Sequence, residues 1–231
     1  MSALDLASVP QTSAYRAALP YPHAVLDGLF FDALLEAALA DFPALDEDVW
    51  VHFDNPRERK HGYRLGSPLR TGLRDLLSVL NSARFVTFLE LLTGIPGLVP
   101  DPDFGGAGPT LVPPGGLLEV HADFNWHPVL EKHRRLNVLV YLNPEWREEW
   151  GGHLELWNAE ATRCERRILP SFNRTVVFDT GERSFHGHPA PLACPTGHAR
   201  RSVSAYYYSS EPPPGDSPAP HDTIFRTLET R

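Results

Sequence analysis

Through its first hundred positions the chain repeats apolar residues at the spacing of an amphipathic helix. The run FDALLEAALADF (31–42) keeps that spacing until Pro43, which cannot continue a helix. In SPLRTGLRDLLSVL (67–80), Leu69, Leu73, Leu76, Leu77 and Leu80 fall on one stripe. The next helix, NSARFVTFLELLTG (81–94), has Asn81 or Ser82 to cap its start and Gly94 to end it. Between the first two helices, HFDNPRERKHGYRLGS (52–67) is polar and without period. It reads as a long loop, a candidate lid whose Asn55, Arg57, Lys60 and Tyr63 are candidate substrate contacts.

From about Pro109 the pattern shortens into β-rich runs broken by Pro and Gly. Strands are expected at GLLEVHA, RLNVLVYL, GHLELW, RCERRIL, RTVVFDT, RSFHGH and RRSVSAYYYS. Seven or eight short strands without helices between them predict a sandwich, barrel or jelly roll. The fold class is therefore α+β with a mainly β core. We divide one domain into helical support (1–108), a β core (109–210) that holds the chemistry, and a Pro-rich surface tail (211–231).

Composition narrows the function. With 42% hydrophobic and 22% charged residues the chain is an ordinary globular one, and its net charge of -8 offers no broad basic field to nucleic acid or an anionic membrane. The N-terminal MSALDLASVPQTSAYRAALP has neither the basic start nor the apolar core of a signal peptide, and no apolar run approaches the ~20 residues of a membrane helix. Cys164 and Cys194 fit no metal-pair spacing and read as reduced thiols, which predicts a cytoplasmic protein. The expected partner is a small-molecule or peptidyl substrate; oligomeric state is not legible.

Two short motifs carry candidate chemistry. His121 and Asp123 in EVHADF are two apart on a strand, so both side chains point to one face. SFHGHP sets His186 and His188 at the same spacing, and either completes a set of two imidazoles and one carboxylate. Such a set occupies one face of an octahedral metal and leaves the other positions free, the arrangement of non-haem Fe(II) oxygenases. ARRSVSAYYY begins a strand with Arg200 and Arg201, either of which suits a carboxylate through two parallel hydrogen bonds. Tyr141 in VLVYLN offers a phenol to the same carboxylate.

With these motifs in order, the sequence resembles the prolyl-hydroxylase-like branch of the 2-oxoglutarate/Fe(II)-dependent dioxygenases, from about Pro109 to Ser210. HAD matches the family's H-x-D, and RLNVLVYLNPEWREEWGGHLELW its Arg, Tyr-Leu-Asn, Trp and Gly-Gly run. SFH matches the distal histidine, and RRSVSAYYY the strand bearing the co-substrate arginine. The resemblance implies a double-stranded β-helix (a cupin-like jelly roll) buttressed by N-terminal helices. It implies Fe(II), 2-oxoglutarate as co-substrate and O₂, with His121, Asp123 and His186 as iron ligands. Tyr141 and one arginine then hold the distal carboxylate; Arg200 fits the family pattern because Ser202, Ser204 and Tyr206 follow it on one face. Asn137, Leu139, Leu154 and Ser204 would line the same pocket, with His188, Asn125 and Trp126 toward substrate.

Relatives act on peptidyl residues, amino acids, glycans and other metabolites, hydroxylating a C–H bond with release of succinate and CO₂. One departure is visible: LVPPGG has no tyrosine where many relatives carry Tyr-Pro-Gly. Asp123 disfavours halogenation, since halogenating relatives leave that ligand position to chloride. Two rival readings are a non-catalytic metal-binding cupin-like module for sensing or scaffolding, and an interaction domain using its acidic surface.

Overall fold

The computed structural model describes residues 11–226. Residues 1–10, part of the N-terminal stretch read above, and 227–231, the end of the tail, lie outside them. In chain order the elements are α1 (Thr12–Arg16), β1 (His23–Asp27), α2 (Asp32–Ala40), β2 (Trp50–Asn55), β3 (Glu58–Tyr63), α3 (Thr71–Leu80) and α4 (Ala83–Thr93). Strands follow: β4 (Val99–Pro100), β5 (Gly108–Val112), β6 (Leu117–Ala122), β7 (Trp126–His127), β8 (Lys132–Tyr141), β9 (Leu154–Trp157) and β10 (Cys164–Ile168). The last are β11 (Arg174–Asp179), β12 (His186–His188), β13 (Arg200–Ser209) and β14 (Ile224–Phe225).

The three expected helices form where the apolar stripe put them. Ser82, not Asn81, caps α4 by accepting from the Phe85 N–H, and Gly94 ends it at φ 70°, where a side chain would be strained. Helices α2 and α3 touch closely because Gly72 has no Cβ; one added there would stand 2.3 Å from the Ala37 carbonyl oxygen. Among the described residues no single helix is long and apolar enough to cross a membrane.

Among the described residues fourteen strands join in one curled antiparallel sheet, ordered β1-β11-β8-β13-β5-β3-β6-β12-β9-β10, with β2, β4, β7 and β14 paired beside that path. This is the expected mainly β jelly roll, the double-stranded β-helix, with helices packed on one face. The first hundred residues contribute more to it than helices. They supply β1 on β11 and a β2–β3 hairpin whose second strand pairs with both β5 and β6. The expected loop at 52–67 is thus largely this hairpin.

Strand alternation decides what faces the chemistry. Leu136, Val138 and Val140 of β8 and Val203, Ala205 and Tyr207 of β13 are buried with the leucines of the helices. Their neighbours Asn137, Leu139, Ser202, Ser204 and Tyr206 turn into the curl of the sheet and line a cavity there. The tail is also part of the sheet: β14 pairs with β6, Ile224 opposite Ala122 and Phe225 opposite His121.

Candidate active site

His121 ends up beside His186 because β6 and β12 are antiparallel neighbours with these two residues in register. Asp123 follows directly after β6. Its carboxylate oxygens lie 3.6 Å from the Nε2 of His121 and 3.6 Å from the Nε2 of His186. One ligand atom from each of the three residues lies within 4.8 Å of the others. Each ring turns its Nδ1 to a backbone carbonyl, His121 to Glu119 at 2.8 Å and His186 to Ser184 at 2.9 Å. Nδ1 therefore carries the hydrogen, and the Nε2 lone pairs point at the common centre. Gly187 lets β12 come this close, since a Cβ there would meet the Glu119 carbonyl at 2.8 Å.

The electrostatics favour ligation. Burial pushes the Asp123 carboxyl up, but Arg134, then His186 and His121, outweigh it and hold the carboxyl well below its usual range. Arg134 Nη2 stands 2.8 Å from Asp123 Oδ2, and the Asn137 amide donates to the same oxygen at 3.3 Å. Burial first, and His121 second, push His186 down to about 4, against Asp123 and the Ser184 carbonyl. Two neutral imidazoles and a carboxylate are the donors a divalent first-row ion takes.

A cavity of about 100 Å³ runs from this cluster to Arg200. The Arg200 Nε donates to the Gly152 carbonyl at 2.8 Å and its Nη2 to the Tyr141 hydroxyl at 3.1 Å. Among the described residues no carboxylate stands within ion-pair distance of this buried guanidinium. A buried cation without a counter-ion is costly, so the end of the cavity fits an anionic group. Leu139 and Leu154 wall the space between, with Thr110, Val112 and Leu118 opposite. Arg201 points away and lines an outer groove with Leu111 and His198.

His188 also faces the cavity, fully buried, with its Nδ1 unpartnered. Burial first, then the charges of Arg200 and Lys60, drive its pKa well down, so the ring is neutral. Lys60 reaches the cavity from β3. The other expected substrate residues do not reach it. The Asn55 side chain accepts from the N–H groups of Arg57 and Glu58 and closes the hairpin turn. Arg57 lies over the Phe225 ring, and Tyr63 donates to the Pro68 carbonyl while packing on Trp50. Trp126 packs edge-on against His133. Asn125 is spent on the tail, donating to the Ala219 carbonyl and accepting from the His221 N–H. Nothing local in the sequence marks that role, because its partners are over ninety residues away.

Sequence reasoning assigned no role to Arg134 or Phe225. Arg134 is buried against the Tyr206 ring at 3.4 Å and the Phe124 ring at 4.6 Å, which meet each other edge to face. Phe225 sets its ring 5.5 Å from that of His121. An arginine in the VLVYLN strand was the available signal for the first; the second lay in a tail without one.

Residues 110–208 match the family model described as the 2OG-Fe(II) oxygenase superfamily. Over those residues, somewhat under half of its length, the chain is similar to that superfamily. The matched segment holds every cavity residue except Lys60. A prolyl 3-hydroxylase of Mus musculus is 30% identical over 79 residues, 32% of this chain but 14% of that protein. The chain thus spans only a small part of the curated relative it matches. Among solved structures, a Pseudomonas putida prolyl-4-hydroxylase aligns with a TM-score of 0.60 and 16% identity, over 85% of this chain and 97% of that one. A Trichoplax adhaerens prolyl hydroxylase, in complex with a hypoxia inducible factor peptide fragment, aligns at 0.60 and 19% over 80% and 83%. At these identities the structural matches speak for the fold.

Proposed function

We propose that the protein is a 2-oxoglutarate- and Fe(II)-dependent dioxygenase that hydroxylates a C–H bond. One observation carries this reading: a single cavity holds a His121–Asp123–His186 donor set at one end and an unpaired, buried Arg200 at the other. A metal-binding scaffold needs the first and has no use for the second.

In this reading His121, Asp123 and His186 hold the iron through Nε2, a carboxylate oxygen and Nε2. Arg200 and Tyr141 bind the far carboxylate of 2-oxoglutarate, and Leu139 and Leu154 exclude water from its methylenes. Asn137 and Arg134 fix the Asp123 carboxylate. Fe(II) with 2-oxoglutarate supplies the reduction of O₂ that turns a substrate C–H into C–OH, with succinate and CO₂ as the other products. The cavity is small enough to be filled by the co-substrate, so the substrate presents its reacting carbon from outside, at the Asp123 end.

A prolyl residue in a peptide is the substrate class we favour, because the curated relatives matched in sequence are prolyl 3-hydroxylases. The free thiols of Cys164 and Cys194 support a cytoplasmic setting. We also read one domain, because strands from the first hundred residues sit within the same sheet as the core.

The test is succinate release from 2-oxoglutarate under Fe(II) and O₂, with proline-containing peptides as stimulators. Wild type should respond, and Asp123→Ala and Arg200→Ala should not. Iron binding without any 2-oxoglutarate binding in the wild type would leave the scaffold reading in its place.

A further inference from the structure

The β2–β3 hairpin carries two histidines that the reaction does not use. His52 and His61 are direct cross-strand partners, with Nδ1 atoms 2.7 Å apart and ring centroids 4.7 Å apart at 78°. Directly opposite residues of an antiparallel pair share a face. Here that face alternates Trp50, His52 and Asp54 on β2 against Tyr63, His61 and Arg59 on β3. The histidines line an open groove of about 350 Å³ with Asp54, Arg59 and the Pro113–Gly116 turn. Neither lines the cavity of the triad; Lys60, on the alternate face of β3, borders both spaces.

Two ring nitrogens cannot stay this close with both lone pairs bare, and two protonated rings would set like charges in contact. A proton or a metal ion must lie between them. The backbone holds the pair in place, since β3 is bonded to β2 on one edge and to β5, through His61 and Leu111, on the other. Burial, then His52, lower the His61 pKa against the pull of Asp54, which favours the neutral, ligating form. Asp54 follows His52 by two residues on the same face, opposite Arg59, and adds negative charge beside the pair without reaching both rings as a ligand. Two Zn–N bonds of about 2.0–2.1 Å at a tetrahedral angle separate the nitrogens by roughly 3.4 Å, so the rings need open by only ~0.7 Å.

We propose that His52 and His61 form a second metal site, taking a borderline divalent ion such as Zn²⁺ through both imidazoles, with water completing the shell. Imidazole and water are donors this ion accepts readily. An ion there ties β2 to β3 and steadies the strand that carries Lys60 to the triad cavity.

Zn²⁺ titration of the metal-free protein against a chromophoric chelator tests this without any turnover, so it stands apart from the proposed reaction. His52→Ala should bind one equivalent fewer than wild type, or bind it at least about 100-fold more weakly, since losing a ligand costs no less than losing a group that merely supports one. Asp123→Ala should retain that hairpin equivalent. His52 is exposed, so its removal leaves the fold in place; His61→Gln gives an independent second variant. Wild type and both hairpin variants binding the same number of ions with the same affinities would overturn the proposal.

Discussion

Arg134 Nη2 sits 2.8 Å from Asp123 Oδ2, with the arginine side chain fully buried and the aspartate side chain 11% exposed. The pair keeps a carboxylate ionised where burial alone would protonate it. The Tyr206 ring at 3.4 Å and the Phe124 ring at 4.6 Å, set at 78° to each other, bound the guanidinium on two adjoining sides and hold it against one carboxylate oxygen.

Removing the cation should therefore cost twice. Arg134→Met leaves Asp123 buried without its counter-charge, which for such pairs costs about 3–5 kcal/mol. Urea unfolding should report that loss, and Co²⁺ titration followed by its visible bands should report weaker metal binding. Unchanged metal affinity beside lowered stability would confine Arg134 to packing.

The second expectation separates two adjacent arginines. Arg200→Ala should weaken 2-oxoglutarate binding by roughly 2–5 kcal/mol, the cost of truncating one partner of a buried charge pair. Arg201→Ala should leave it unchanged, because that side chain lines the outer groove with Leu111 and His198. Isothermal titration with the co-substrate distinguishes the two, and the reverse ranking would remove Arg200 from the site.

The two arginines also show what a sequence can disclose. Residues of β8 and β13 were legible because both strands alternate strictly between a leucine-rich helical layer and the cavity. The hairpin at 50–63 was not. Its strands are polar, with β3 mostly half-buried, so no apolar period marks them, and pairing with β5 and β6 makes β3 part of the sheet. Phe225 was hidden for a related reason: β14 is two residues long and follows a Pro-rich stretch held by Asn125 and by Glu182, whose N–H donates to Asp216 and whose carboxylate accepts from the Ser217 N–H. Tertiary contacts, not local propensity, place these pieces.

A third expectation concerns acid–base stability away from the site. Tyr15 donates to Asp179 at 2.6 Å and ties α1 to β11. Burial pushes the Asp179 carboxyl up to about 6, although Tyr15 and Arg135 pull it down. A raised carboxyl means the folded state binds more protons than the unfolded one between about pH 4 and 6. Its stabilising contribution is complete below the unfolded pKa and is lost as pH rises through 6. Asp179→Asn should flatten that part of the stability curve and gain about 1–3 kcal/mol at pH 7.5. Urea midpoints at pH 4.5 and 7.5 check it; an equal loss at both would mean the carboxylate itself is needed.

The last expectation decides between the two histidines of β12. Both line the cavity, but their surroundings differ. His186 has its Nδ1 fixed by the Ser184 carbonyl at 2.9 Å and its Nε2 3.6 Å from Asp123. The Nδ1 of His188 has no partner, and the charges nearest it are those of Arg200 and Lys60, which with burial keep the ring neutral. A ligand needs its second nitrogen held, and only His186 has that hold. His186→Ala should thus lose most metal affinity, read by Co²⁺ or Mn²⁺ titration. His188→Ala should keep the metal and weaken 2-oxoglutarate binding, because its ring lies between the triad and Arg200 along the cavity wall. Metal retained in His186→Ala and lost in His188→Ala would exchange the two assignments.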